Sequence, residues 1–305
     1  MLINKLNIYC IKFLNQKTKI MKIKFFAYCF VFALTNNLVF AQSEKDTTLL
    51  TKNLKEVYIH GKRLNEMQLV GEYDQPVWST FRKFPTTRIY VQVPPGQAMY
   101  EKWMEIRDNK GDKGTEIRMR DEFAFGLGKR LELDLYLYSI TTGSGENATL
   151  NWRAFSWEIR YALADWGKIF GNPTLYFEYL YMNGDYNKIE HKLLLGGNIN
   201  DYSIWGVNFI YEGQLANNYE KDEELSVTAS YSRILSNHIS LGASYQYVTE
   251  NEREGGEDNI SEEHLLGPSF QLKLHDRAYL DVEPLIGLTK ESKKSKTFII
   301  FGWRF

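Results

Sequence analysis

Residues 131–138 read Leu131-Glu132-Leu133-Asp134-Leu135-Tyr136-Leu137-Tyr138, with leucine at every odd position. A period of two puts the leucines on one face of a β-strand and the charged and tyrosine side chains on the other; no helix separates them this way. The pattern recurs along the chain. Phe155, Trp157, Ile159, Tyr161 and Leu163 alternate with Ala154, Ser156, Glu158, Arg160 and Ala162. Trp205, Val207, Phe209 and Tyr211 alternate, as do Leu225, Val227, Ala229 and Tyr231, then Ile239, Leu241, Ala243, Tyr245 and Tyr247.

The alternation predicts twelve strands, over 99–108, 114–126, 130–140, 149–163, 174–183, 188–198, 203–213, 223–233, 238–249, 264–274, 277–287 and 296–305. Their length suits tilted strands of about 9–11 residues crossing a bilayer. The odd-numbered connections are polar and several are long, while the even ones are short except 164–173. Such sorting of loops is the asymmetry of an outer-membrane barrel, and an even strand count puts both chain ends on the short-turn side. The expected fold is therefore all-β: a transmembrane antiparallel β-barrel of about twelve strands with an N-terminal periplasmic or plug segment.

The ends of the chain agree. Thr297, Ile299, Phe301, Trp303 and Phe305 alternate up to a terminal Phe. This resembles the last strand of bacterial, porin-like outer-membrane barrels. The resemblance implies location in the outer membrane of a Gram-negative cell. It also implies reading of Phe301, Trp303 and Phe305 by the barrel assembly machinery, with membrane lipid as the other partner. At the other end, Lys22 and Lys24 precede the apolar run Phe25–Leu34, and Val39-Phe40-Ala41 ends in a small residue, the pattern of a secretory signal. The expected organisation is a signal peptide over 1–41, with Met21 as an alternative start, a periplasmic or plug segment over 42–98, and a barrel over 99–305.

Both cysteines, Cys10 and Cys29, lie within 1–41, so the mature chain has no thiol for a disulfide, a metal or nucleophilic catalysis. Six lysines leave with that segment, taking the net charge from −1 to −7. Nucleic acid is an unsuitable partner for such a chain.

On the strands, the face opposite the apolar one is charged. Arg118, Arg120, Glu158, Arg160, Glu178, Glu190, Lys192 and Glu212 are the candidate lumen and selectivity residues, with Glu122, Glu132, Asp134, Lys273, Asp281, Glu283 and Arg304 beside them. Two arrangements fit. The charges line a narrow water-filled pore for small hydrophilic solutes, with weak cation preference, or they interlock as ion pairs that fill a structural or surface-interaction barrel. Asp121 falls on the lipid-facing parity, which predicts that 114–126 holds a register change or extends past the membrane. Pro268 and Pro284 inside strands predict bulges or shifted boundaries. His191 also falls on the lipid-facing parity.

The stretch Leu54-Lys55-Glu56-Val57-Tyr58-Ile59-His60-Gly61-Lys62-Arg63 resembles the short strand-forming segment of TonB-dependent transporters. That resemblance implies a periplasmic partner engaged through residues 54–63 by strand addition. The chain is too short for that family's plug domain and barrel. His238 and Ser240 resemble a His-x-Ser fragment of outer-membrane phospholipases, but Leu241-Gly242 follows where that family has Asn-Gly. A lipid-modifying enzyme is accordingly the third reading. With no further catalytic motif, the chain is expected to be no enzyme and to use no cofactor or metal. Residues 250–263 hold seven acidic residues and are expected to form a solvated loop.

Overall fold

The computed structural model describes residues 71–305 except 110–114, 143–148, 217–220 and 255. The signal segment 1–41 and the stretch 54–63 lie outside the described residues.

Twelve strands form a closed barrel, each antiparallel to its sequence neighbours, with β1 closing on β12. They are β1 (Ala98–Asp108), β2 (Thr115–Gly128), β3 (Leu131–Thr142), β4 (Thr149–Ala162), β5 (Thr174–Met182), β6 (Lys188–Asn200), β7 (Ser203–Gln214), β8 (Glu223–Ile234), β9 (Ile239–Glu254), β10 (Glu257–His275), β11 (Ala278–Gly287) and β12 (Ser295–Arg304). Closure leaves no unpaired sheet edge, the condition a bilayer imposes on strands. The polarity is inverted relative to a soluble protein. Leu137, Ile159, Tyr161, Leu175, Leu241, Phe270 and Trp303 are exposed outside, whereas Glu101, Glu122, Glu132, Asp134, Arg160, Asp281 and Glu283 are fully closed off inside.

The periodicity places ten strands to within a few residues, and the other two differ for a physical reason. The acidic stretch 250–263 is not a loop. β9 and β10 continue past the apolar band as a paired ribbon, with Glu252 opposite Asn259 and Arg253 at 2.7 Å from Asp258. Neither proline shifts a register. Pro268 and Pro284 fall opposite each other, where the β10–β11 ladder skips three positions and resumes in the same register. A proline has no N–H to donate, so pairing two of them confines the loss to one place. The strands close up there, and a Cβ on Gly267 would lie 1.8 Å from the Pro284 carbonyl oxygen.

Asp121 likewise causes no register change, since β1 and β2 pair without interruption from Ala98 to Asp108. Instead Asp121 is opposite Lys102 on the outer face. The ammonium is 2.7 Å from its carboxylate, and Tyr100 Oη donates to it at 2.6 Å. His191 is exposed on the outer face, with ring neighbours Phe177 at 5.1 Å and Tyr211 at 6.4 Å.

Candidate functional site

Residues 71–97 run inside the barrel. Their two ends sit at the short-turn end of the wall. The Trp166 amide bonds the Tyr73 carbonyl at 2.9 Å, and the Gly96 amide bonds the Gly126 carbonyl at 2.9 Å. Between these points the segment makes one 3-10 turn, Val77–Thr80, and then rises into the lumen as irregular chain. Of the expected segment 42–98, the part described, from Gly71 on, lies inside the barrel.

Its lowest layer is apolar. Trp78, Phe84, Ile89, Tyr90 and Val91 pack with Ala162, Ile204 and Ile234 of the wall. The long even connection, 163–173, supplies the base of this layer. Trp166 meets Trp78 at 5.5 Å and Tyr90 at 5.3 Å, both edge-to-face, and Tyr90 Oη donates to the Ala164 carbonyl at 2.7 Å. Burial of the phenol among these groups pushes its pKa up. The connection is held to the neighbouring turn by Arg130, whose guanidinium lies 2.8 Å from Asp165.

The middle layer is ionic. Arg82 is 2.5 Å from Glu101 and 3.4 Å from Glu122, and Arg88 is 2.6 Å from Glu122. Burial works against the Arg88 charge, but Glu122, Tyr136, Glu101 and Glu158 together more than offset it and hold the guanidinium protonated. Trp103 lies between Arg82 at 4.2 Å on one face and Arg120 at 3.7 Å. Its indole N–H reaches Glu101 at 3.1 Å and Glu122 at 2.9 Å. Arg160 contacts Asp134 and Glu158 and is 3.0 Å from Glu132. Backbone polar groups of the segment are satisfied by the wall: the Arg88 amide and carbonyl by the Asn208 side chain at 2.8 and 2.6 Å, and the Val93 amide by Glu132 at 2.9 Å. Thr87 Oγ1 is 2.7 Å from Ser230 Oγ, and Thr86 donates to Glu283 at 2.6 Å. Two wall glycines make room. A Cβ on Gly196 would lie 2.3 Å from Ile89, and one on Gly206 would lie 2.8 Å from Thr87.

Above this layer, in the long-loop half, is a cavity of about 350 Å³ floored by Arg82, Pro85, Thr86 and Arg88. All eight candidate residues are inside the barrel, divided between two levels. Arg118, Arg120, Glu178, Glu190, Lys192 and Glu212 line the cavity, while Glu158 and Arg160 lie below it in the ionic layer. The acids form a rising row that the sequence reading did not find. Glu158, Glu178, Glu190, Glu212, Glu224 and Glu250 each face the next across β4 to β9. Glu158 is four residues from the short-turn end of β4 and Glu250 eleven from that of β9. Like charges directly opposite repel, and local partners offset much of this. Lys192 is 2.7 Å from Glu190, Lys188 is 2.8 Å from Glu212, and Tyr138 Oη donates to Glu178 at 2.8 Å. The arginines lie on the other side, with Arg107 paired to Glu105 at 2.6 Å and Arg118 paired to Glu116.

Ser240 is buried, and His238 is exposed with its Nδ1 3.1 Å from the Lys273 carbonyl oxygen.

Solved structures supply the fold comparison. An outer-membrane channel from Pseudomonas putida F1 superposes with a TM-score of 0.53 at 9% identity, over 71% of this chain and 98% of that one. The chain has the fold of an outer-membrane β-barrel. The KdgM and NanC porins give TM-scores of 0.45 and 0.46 at 10% and 9% identity, over 68% and 67% of this chain and 99% and 97% of theirs. No family model and no curated protein matches the sequence.

Proposed function

We propose that this barrel is a channel for small hydrophilic solutes held shut by its own residues 71–97. The observation that carries the reading is the way the segment is held. Over an apolar base it is held to the wall by polar and charged contacts rather than by a seamless apolar core, and a cavity lies above it. A barrel filled only for stability has no need of an inserted segment with charged contacts, since apolar packing of the same volume is as stable or more so. Short turns face the periplasm in barrels of this kind, so the floor is periplasmic and the cavity faces outward. The plug removes the continuous pore considered from sequence and leaves an outer vestibule.

The test is planar-bilayer conductance of residues 42–305 beside a chain lacking 42–97. The full mature chain is expected to be silent apart from rare openings, and the shortened one to conduct steadily. Silence from a shortened barrel with heat-modifiable electrophoretic mobility, the mark of a folded barrel, would overturn the proposal in favour of a filled structural barrel. The periplasmic partner at residues 54–63 fits the same scheme, because Tyr73, near the first described residue, is bonded to Trp166 at the short-turn end, the side where such a partner works.

A further inference from the structure

We infer that the outer vestibule binds a small dipolar solute, carrying one anionic and one cationic group and no net charge. The inference needs the floor in place but not its release, so it stands or falls separately from the channel.

The charges around the cavity largely cancel on their own walls, as Arg107 with Glu105, Lys192 with Glu190 and Lys188 with Glu212 show. Among the described residues, five charged groups lining the cavity are in no ion pair, and one of them, Glu178 on β5, is held instead by the Tyr138, Ser156 and Tyr176 hydroxyls, which donate to its carboxylate. Four others remain. Two are cations, Arg120 on β2 and Arg153 on β4. Two are anions, Glu224 on β8 and Glu250 on β9. The strand order puts β2 and β8 six places apart in a ring of twelve, on opposite sides of the axis. Their heights match, with Arg120 eight residues from the short-turn end of β2 and Glu224 ten from that of β8. The residual field therefore runs across the vestibule, positive at one wall and negative at the other.

Arg120 is set for a carboxylate. Its guanidinium lies over the Trp103 ring at 3.7 Å and is 5.0 Å from the Tyr136 ring, and these aromatic contacts hold the group in place. The Nε of the guanidinium is buried without a hydrogen-bond partner. A planar guanidinium fixed in this way offers its edge N–H donors in a fork that fits a carboxylate. A purely anionic solute held there would face Glu224 and Glu250 across the cavity, and a purely cationic one held by those acids would face Arg120 and Arg153. Only a solute with both charges, spaced across the lumen, meets a complementary group at each end. The cavity volume lies within the range of small-molecule sites, about 300–1,000 Å³.

The experiment is calorimetric titration of folded 42–305 in detergent with three peptides of one size: triglycine, N-acetyl-triglycine and triglycine amide. These carry both charges, the anion alone and the cation alone. Triglycine is expected to bind at least tenfold more tightly than either capped form. Arg120→Gln and Glu224→Gln should each abolish that advantage, and the outer-face variant Lys102→Leu should leave it unchanged. Heat-modifiable mobility identifies the variants that fold, and Arg153→Gln replaces Arg120→Gln if the latter does not. Equal binding of either capped peptide, or no binding of triglycine to the folded barrel, overturns the inference.

Discussion

The Arg88 guanidinium lies 2.6 Å from the Glu122 carboxylate, and neither side chain has appreciable contact with solvent. One group belongs to the inserted segment and the other to the wall, so this contact is a measure of closure. Removing one partner of a buried pair costs about 3–5 kcal/mol because the other charge stays buried. In Arg88→Ala, Glu122 keeps Arg82 at 3.4 Å and Arg160 at 3.9 Å, which places the loss at the low end. The variant is expected to show frequent channel openings where the parent shows few, with heat-modifiable mobility unchanged. An Arg88→Ala barrel as silent as the parent would show that the pair is not a latch.

Gly196 and Gly206 face each other across β6 and β7 beneath Ile89 and Thr87. A side chain at Gly206 strikes the inserted segment alone, at 2.8 Å from Thr87, whereas one at Gly196 also meets the Trp205 carbonyl oxygen of the wall at 2.9 Å. Gly206→Val should therefore open the lumen by steric displacement with no change of charge, and valine is favourable in a strand. The readout is steady bilayer conductance. Closed recordings from a folded Gly206→Val barrel would mean that the segment shifts around the added methyl groups without leaving.

Residues 42–305 contain no cysteine, which permits the converse test. Thr87 Oγ1 and Ser230 Oγ are 2.7 Å apart, a spacing compatible with cysteine side chains forming a disulfide. Adding Thr87→Cys and Ser230→Cys to the Gly206→Val barrel should silence it when oxidised and restore conductance on reduction. Conductance independent of redox state would show that current does not pass where the segment lies.

The wall was legible from sequence because a barrel imposes one rule on every residue, alternate sides of a two-faced sheet, and Leu131–Tyr138 obeys it without exception. The eight candidate lumen residues followed from the same parity. The contents of the lumen were not legible. Residues 71–97 have almost no regular hydrogen-bonded structure of their own, so no periodicity marks Arg82, Arg88 or Ile89 as interior. Two signals were present. The single long even connection, 163–173, carries Trp166, which the structure uses to seal the segment. Gly196 and Gly206 are on inward-facing positions, where a missing side chain implies a close neighbour. Asp121 misled because parity arguments treat each strand alone, whereas its partner Lys102 is on the next strand.

Emptying the lumen should expose an anionic ring. At the level of the ionic layer the wall presents Glu101, Glu122, Glu132, Asp134 and Glu158 against Arg120 and Arg160, and Arg82 and Arg88 of the inserted segment make up part of the difference. A barrel lacking 42–97 should therefore select cations strongly, more so than the weak preference expected from the whole lumen. The reversal potential in a potassium chloride gradient measures this. Glu122→Gln in the same background should reduce the preference, and an anion-selective or unselective pore would show that the current does not pass this ring.

The Lys102–Asp121 pair belongs to the outer wall, with Phe123 exposed beside it and Tyr100 both packed on Phe123 at 5.2 Å and bonded to Asp121. Charges facing lipid are tolerated when they neutralise each other, and the two groups are directly opposite across β1 and β2. Asp121→Leu leaves an unpaired ammonium toward the bilayer, a cost of about 2–4 kcal/mol at the midplane and less toward an interface. Lys102→Leu leaves a carboxylate there, which costs less because it keeps its bond from Tyr100. The double leucine variant removes both charges and should recover most of the parent stability. Urea unfolding from lipid vesicles is expected to rank the barrels as parent and double variant, then Lys102→Leu, then Asp121→Leu. A double variant less stable than either single one would mean that the pair does more than neutralise itself on the outer face.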